Sequence, residues 1–167
     1  IADMFLESDN YKMKYIQNGV NNRITKNVQK NQMKEKLGLD QGKTYFVTAG
    51  RFSPEKNFKF LIDVFSKFKD KNTCLLILGD GPLFAELKVH ECSNIIFVGF
   101  TQNVLDYLQV SDYYVSSSIT EGLPMSVLEA LSVGLPLLLS DIPSHEEILT
   151  KDVIGKTGFI YKNNNLD

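Results

Sequence analysis

The sequence predicts a doubly wound α/β domain: a mostly parallel sheet with helices on both faces. Three observations carry that expectation. Six short apolar runs recur along the chain and are near-continuous rather than alternating, as parallel strands buried on both faces are. Segments with helical spacing separate them, so strand and helix alternate, which favours right-handed crossovers. That strand-then-helix unit repeats five times, and in such a sheet ligands bind beyond the carboxyl ends of the strands.

In chain order, residues 1–43 are the least informative. They hold an Asn-Gly turn in YIQNGVNN (15–22) and a short helix in NQMKEKLGL (31–39) that closes near Gly38. The strands are then TYFVTAG (44–50), CLLILG (74–79), NIIFVG (94–99), DYYVSS (112–117), LPLLLS (135–140) and GFIY (158–161). After the first strand, Phe60/Leu61, Val64/Phe65 and Phe68 recur at helical intervals. The later helices are expected in PLFAELKVH (82–90), VLDYLQV (104–110), MSVLEALSV (125–133) and SHEEIL (144–149). The ligand-facing loops are then 50–57, 79–83, 99–103, 116–124 and 140–145.

Composition excludes some functions. The chain has 167 residues, enough for one domain with a sizeable core, and a net charge of −2, so no broad basic surface points to nucleic acid. Two cysteines are no disulfide framework, and Cys74, within CLLIL, reads as a small buried apolar residue of a protein in a reducing cytosol. No apolar run is long enough to span a membrane. The start at Ile1 and the end in YKNNNLD read as a piece of a longer protein.

Three stretches carry candidate chemistry. In GRFSPEKN (50–57), Ser53 before Pro54, or Asn57, is placed to cap a helix start. A helix N-terminus is already positive, so Arg51 and Lys56 there suit a bound anion such as a phosphate. The alternative is two solvated surface cations offset by Glu55. In SSSITEGLPMSVLEALSVGLP (116–136), Pro124 reads as the first helical residue and Gly134 as the stop after Val133. Ser126, Glu129 and Ser132 form a narrow polar stripe on an otherwise apolar helix. Glu121 and Glu129 near that helix start suit a polyhydroxy ligand, with backbone N–H groups from Gly122 to Met125 as donors. The alternative is a wet helix edge and a decorated loop. In GDGPL and GFTQN, Gly79 and Asp80-Gly81 suit a plain turn, while Phe100 offers an aromatic face to a base. His90 and His145 are isolated and read as surface residues. No metal-ligand spacing, dinucleotide fingerprint, Walker loop or Gly-x-Ser-x-Gly elbow is present.

Taken in order, GRFSPEKN, LLILGDGPL, IIFVGFTQN, EGLPMSVLEALSVGLP and GFIY resemble the C-terminal domain of retaining family 4 ("group 1") glycosyltransferases of the GT-B fold, whose most specific element is the Glu121-x7-Glu129 pair. The resemblance implies a Rossmann-like sheet forming one half of a GT-B enzyme. It implies a donor-binding domain over residues 18–167, with 1–17 a linker or N-terminal remnant. The N-terminal acceptor domain and final helix would lie outside the chain.

It also implies roles. Arg51 and Lys56, following Gly50, would hold the diphosphate of a nucleotide-sugar donor. Glu121 would meet sugar hydroxyls, helped by the backbone of Gly122, Leu123, Pro124 and Met125. Glu129 would meet the ribose, Leu128 would pack beside the nucleoside, and Gly79, Phe100 and Thr101 would border the base. No cofactor or metal is expected, since the nucleotide sugar is a substrate. The acceptor would be a glycan or a lipid-linked glycan, and the pathway polysaccharide or glycolipid assembly. The parent enzyme would be cytoplasmic, with peripheral association at the inner membrane face left open. Two departures stand out: Pro124 replaces a glycine and lacks an N–H, and SDIPSHEEIL lacks the usual Gly-Gly, leaving Glu146 and Glu147 unassigned. A sugar-nucleotide epimerase of the same fold, or a non-catalytic α/β nucleotide-binding module, are the rival readings.

Overall fold

The computed structural model describes residues 29–149 and 157–162. The Asn-Gly turn expected at 15–22 lies outside them. Helix α1 is Lys30–Lys36, and Gly38 behind it takes the left-handed backbone that ends a helix. The strands are β1 (Thr44–Ala49), β2 (Thr73–Leu78), β3 (Ile95–Gly99), β4 (Tyr113–Ser116), β5 (Leu137–Ser140) and β6 (Gly158–Tyr161). Between them run α2 (Phe58–Ser66), α3 (Phe84–Lys88), α4 (Val104–Val110), α5 (Met125–Ser132) and α6 (Pro143–Ile148).

The strands form one sheet in the order β3-β2-β1-β4-β5-β6, and every pairing between these strands is parallel. The chain starts in the middle, steps outward to β3, then returns to lay β4 beside β1. The crevice between the carboxyl ends of β1 and β4 is therefore the topological switch point. All six residues of β2 are buried, which explains its unbroken apolar run. One face packs Tyr45, Val47, Cys74, Leu76, Leu137 and Leu139 against residues of α1, α4 and α5. The other packs Leu75, Ile77 and Ile95 against Phe52, α2 and α3. Cys74 is fully buried, and burial pushes its thiol up to about 11.

Two expectations shift at element ends. Pro124 is not the first helical residue of α5. Its ψ of 83° keeps it outside the helix as the capping position, while its carbonyl accepts the N–H groups of Val127 and Leu128. The β1–α2 connection is also more than one capped helix. Ser53 precedes a single 3-10 turn, Pro54–Lys56, and Asn57 then takes a left-handed backbone (φ 50°) before α2 starts at Phe58. Neither Ser53 nor Asn57 caps through its side chain.

Candidate functional site

The β1–α2 loop is held from below. Phe52 is fully buried, edge-on to Phe58 and Phe84 at centroid distances of 4.9 and 5.1 Å, and its N–H donates to the Asp80 carbonyl at 2.9 Å. With that residue pinned, Arg51 and Lys56 project from a fixed backbone. The β4–α5 loop is tied to the same segment. The Ser117 hydroxyl contacts the carbonyls of Lys56 and Asn57, each at 2.9 Å, and the Ile119 N–H donates to the Glu55 carbonyl at 2.8 Å. Two loops from strands at the switch point thus form one unit.

Lys56 and Glu121 meet across that unit at 2.5 Å, with side chains only 19% and 11% exposed. The charge at Lys56 is therefore offset mainly by Glu121, whereas the surface alternative relied on Glu55, which attracts Lys56 only weakly. Glu55 is solvated, and hydrogen bonds from its own backbone N–H and from Ser53 hold its carboxyl below the usual range. Glu121 takes a second donor on the same oxygen, since Ser118 Oγ donates to Oε1 at 2.7 Å. Arg51 makes no ion pair among the described residues.

Two adjoining hollows share Ala49, Gly50, Arg51 and Val104. The first, of about 310 Å³, adds Gly79, Asp80, Phe100 and Thr101. The second, of about 340 Å³, adds Lys56, Glu121, Leu123, Met125, Ser126 and Glu129. Gly79 brings the ends of β1 and β2 together, because a Cβ on it would lie 1.9 Å from the Gly50 carbonyl oxygen. Phe100 is 76% exposed at the rim. Half-burial without a charged partner raises the Glu129 carboxyl above the usual carboxylate range. Arg51, Lys56, Glu121 and Glu129 thus border one crevice. Gly122, Pro124 and Leu128 line neither hollow.

One expectation fails outright. His145 is not a surface residue: it is fully buried, with Nδ1 2.9 Å from the Ser140 carbonyl oxygen. Three residues had no role assigned in the sequence. Phe52 anchors a loop, Ser118 binds Glu121, and Tyr114 is buried with its hydroxyl donating to Ser126 at 2.8 Å, its phenol pushed up to about 12 by burial. The serine-rich stretch SSS was the one available signal, since buried serines need partners. No cluster of three or more metal-ligand side chains occurs among the described residues, and none of their helices is long and apolar enough to cross a membrane.

A family model described as "Glycosyl transferases group 1" matches residues 29–167. The chain is 29% identical over 95% of its length to an Escherichia coli protein named UDP-Gal:alpha-D-GlcNAc-diphosphoundecaprenol alpha-1,3-galactosyltransferase, of which it covers 43%. It is 30% identical over 81% of its length to the putative glycosyltransferase EpsD of Bacillus subtilis, of which it covers 36%. Among solved structures, Anabaena Alr3699/HepE in complex with UDP-glucose matches with a TM-score of 0.78 at 20% identity, over 91% of this chain and 44% of that one. That last likeness is one of fold, and it meets the expectation of a Rossmann-like half of a GT-B enzyme. The chain spans less than half the length of each of these proteins. Because the family match runs from the residue before α1 to the end of the chain, the chain belongs to the group 1 glycosyl transferases.

Proposed function

We propose that this chain is the donor-binding domain of a retaining glycosyltransferase that moves a sugar from a nucleoside diphosphate to a glycan or lipid-linked acceptor. The observation that carries the reading is the convergence of Arg51, Lys56, Glu121 and Glu129 on one crevice at the switch point of a parallel sheet. Departure of the nucleoside diphosphate places negative charge on its terminal phosphate. Arg51 and Lys56 are cations set to stabilise that charge, which is the larger part of what the site does for the reaction. Glu121 offers its second oxygen to a sugar hydroxyl, and Glu129 accepts from the ribose. Gly79, Phe100 and Thr101 border the base, which we assign as uracil because one relative is named for a UDP-sugar and a fold neighbour was solved with UDP-glucose.

Residues 18–167 form this domain, and acceptor selection belongs to a partner domain outside the chain. The parent enzyme works in the cytoplasm, where nucleotide sugars are made. A lipid-linked acceptor such as the one in the name of the Escherichia coli relative brings it to the inner membrane face.

The test is calorimetric binding of UDP, GDP and ADP to the intact protein and to two variants. Arg51→Ala should weaken UDP binding about tenfold, and Arg51→Ala/Lys56→Ala about a hundredfold or more, from two lost charged hydrogen bonds of about 1.5–3 kcal/mol each. Equal UDP affinity in all three proteins would remove the phosphate assignment.

A further inference from the structure

We propose that His145 is a positioning residue for the donor sugar: through Ser140 and the backbone of Ser118 it fixes the loop that aims Glu121. The inference rests on the reading of Glu121 as the ligand of sugar hydroxyls.

The connection is a chain of polar contacts between three elements. His145 lies on α6, Ser140 ends β5, and Ser118 follows β4. His145 Nδ1 lies 2.9 Å from the Ser140 carbonyl oxygen and 3.2 Å from its hydroxyl. A carbonyl oxygen only accepts, so the imidazole hydrogen sits on Nδ1. Facing that N–H, the Ser140 hydroxyl cannot donate to the ring. Its hydrogen goes instead to the Ser118 carbonyl, 2.6 Å away. The Ser118 hydroxyl in turn donates to Glu121 Oε1 at 2.7 Å, beside Lys56. The pairing of β4 with β5 ends at Ser116 and Leu139, so the Ser140–Ser118 bond extends that attachment into the loop carrying Glu121.

Packing alone does not account for an imidazole here. The ring is fully buried, and its Nε2 has no hydrogen-bond partner among the described residues. A leucine would fill similar space without stranding a nitrogen. What the imidazole supplies and leucine cannot is the Nδ1–H aimed at Ser140. His145 does not touch the ligand in this scheme. Its effect reaches the sugar only through the setting of Glu121, so it should alter recognition of the sugar more than of the nucleotide.

That difference is the readout. Affinities of UDP and of UDP-glucose, UDP-galactose and UDP-N-acetylglucosamine are measured on the intact protein, and the tightest nucleotide sugar defines a sugar increment over UDP. His145→Leu and Ser140→Ala should reduce that increment about five- to tenfold, the loss of one well-placed hydrogen bond, with UDP affinity nearly unchanged. His145→Asn, whose carboxamide N–H falls near the Nδ1 position, should restore most of it. If His145→Leu does not fold, Ser140→Ala, which deletes one oxygen, carries the same comparison. An unchanged increment in His145→Leu and Ser140→Ala would overturn the inference while leaving the donor-binding reading intact. So would a parallel loss of UDP and nucleotide-sugar affinity in every variant, Asn included, which marks a purely structural role. A wild-type protein that binds UDP but shows no increment for any of the three sugars would remove the assignment of Glu121, and this inference with it.

Discussion

At Glu121 Oε1 two donors converge, Lys56 Nζ and Ser118 Oγ. Such a carboxylate is held in one rotamer by the fold itself, so it need not be ordered when a ligand arrives. His145 poses the opposite electrostatic problem. Burial holds its pKa below the ordinary 6.5; the hydrogen bond to the Ser140 carbonyl and the nearby Glu121 oppose that shift, and Lys56 adds to it. The unfolded chain gains a proton on this residue near 6.5 while the folded chain does not, so the unfolded state binds more protons below that value. Stability from neutral His145 is therefore complete above about pH 7 and declines as pH falls through about 6.5. A non-titrating His145→Asn variant should lack this component. The difference in melting temperature, wild type minus variant, should be flat from about pH 8 to 7 and should fall between about pH 6.5 and 5. A difference that stays constant across that range would refute the burial of a neutral imidazole.

Element ends, rather than element cores, decide this site. Strand β2 was the most legible, because burial on both faces leaves the unbroken apolar run Cys74–Leu78. The helix α5 was legible from its polar stripe, but its first residue was misplaced by one because Pro124 suits both the cap and the first turn by its φ, and only its ψ separates them. His145 was not legible at all. Its burial depends on β5 and α6 folding back beside β4, and no local pattern encodes that. Gly79 shows how an element end can be tested. It has φ +127°, and an added Cβ would sit 1.9 Å from the Gly50 carbonyl oxygen. Gly99 also has a positive φ, +81°, but open space where its Cβ would go. Gly99→Ala should therefore cost only local backbone strain, about 1 kcal/mol, whereas Gly79→Ala must also push β1 and β2 apart, for about 3 kcal/mol or more. In thermal melts that is a fall of about 2–4 °C against about 6–12 °C. Equal shifts would show that the two strand ends are not in the close contact described here.

For the whole molecule, the order β3-β2-β1-β4-β5-β6 puts β1 beside β4 although residues 50–112 intervene. That adjacency joins GRFSPEKN to SSSITEG, and it explains why neither stretch alone separated a ligand site from its plainer alternative, solvated cations in the first and a wet helix edge with a decorated loop in the second. The alternation of strands and helices predicted a doubly wound sheet, but the pairing of these two loops follows from where the chain reverses direction. A ligand spanning both loops should then stabilise the molecule as a unit, since it binds the folded crevice and finds neither loop in place in the unfolded chain. At UDP concentrations near 100 times the dissociation constant, linkage adds about 2.7 kcal/mol. For a protein of this size that is a rise of about 5–11 °C in melting temperature. Arg51→Ala should need about tenfold more UDP for the same rise, because it changes affinity and leaves the empty fold alone. A melting temperature that UDP, GDP and ADP all leave unmoved up to millimolar concentration would contradict nucleotide binding itself, and with it both the donor-site reading and the nucleotide-binding module. A rise with GDP or ADP but not with UDP would keep the donor site and reassign only the base beside Phe100.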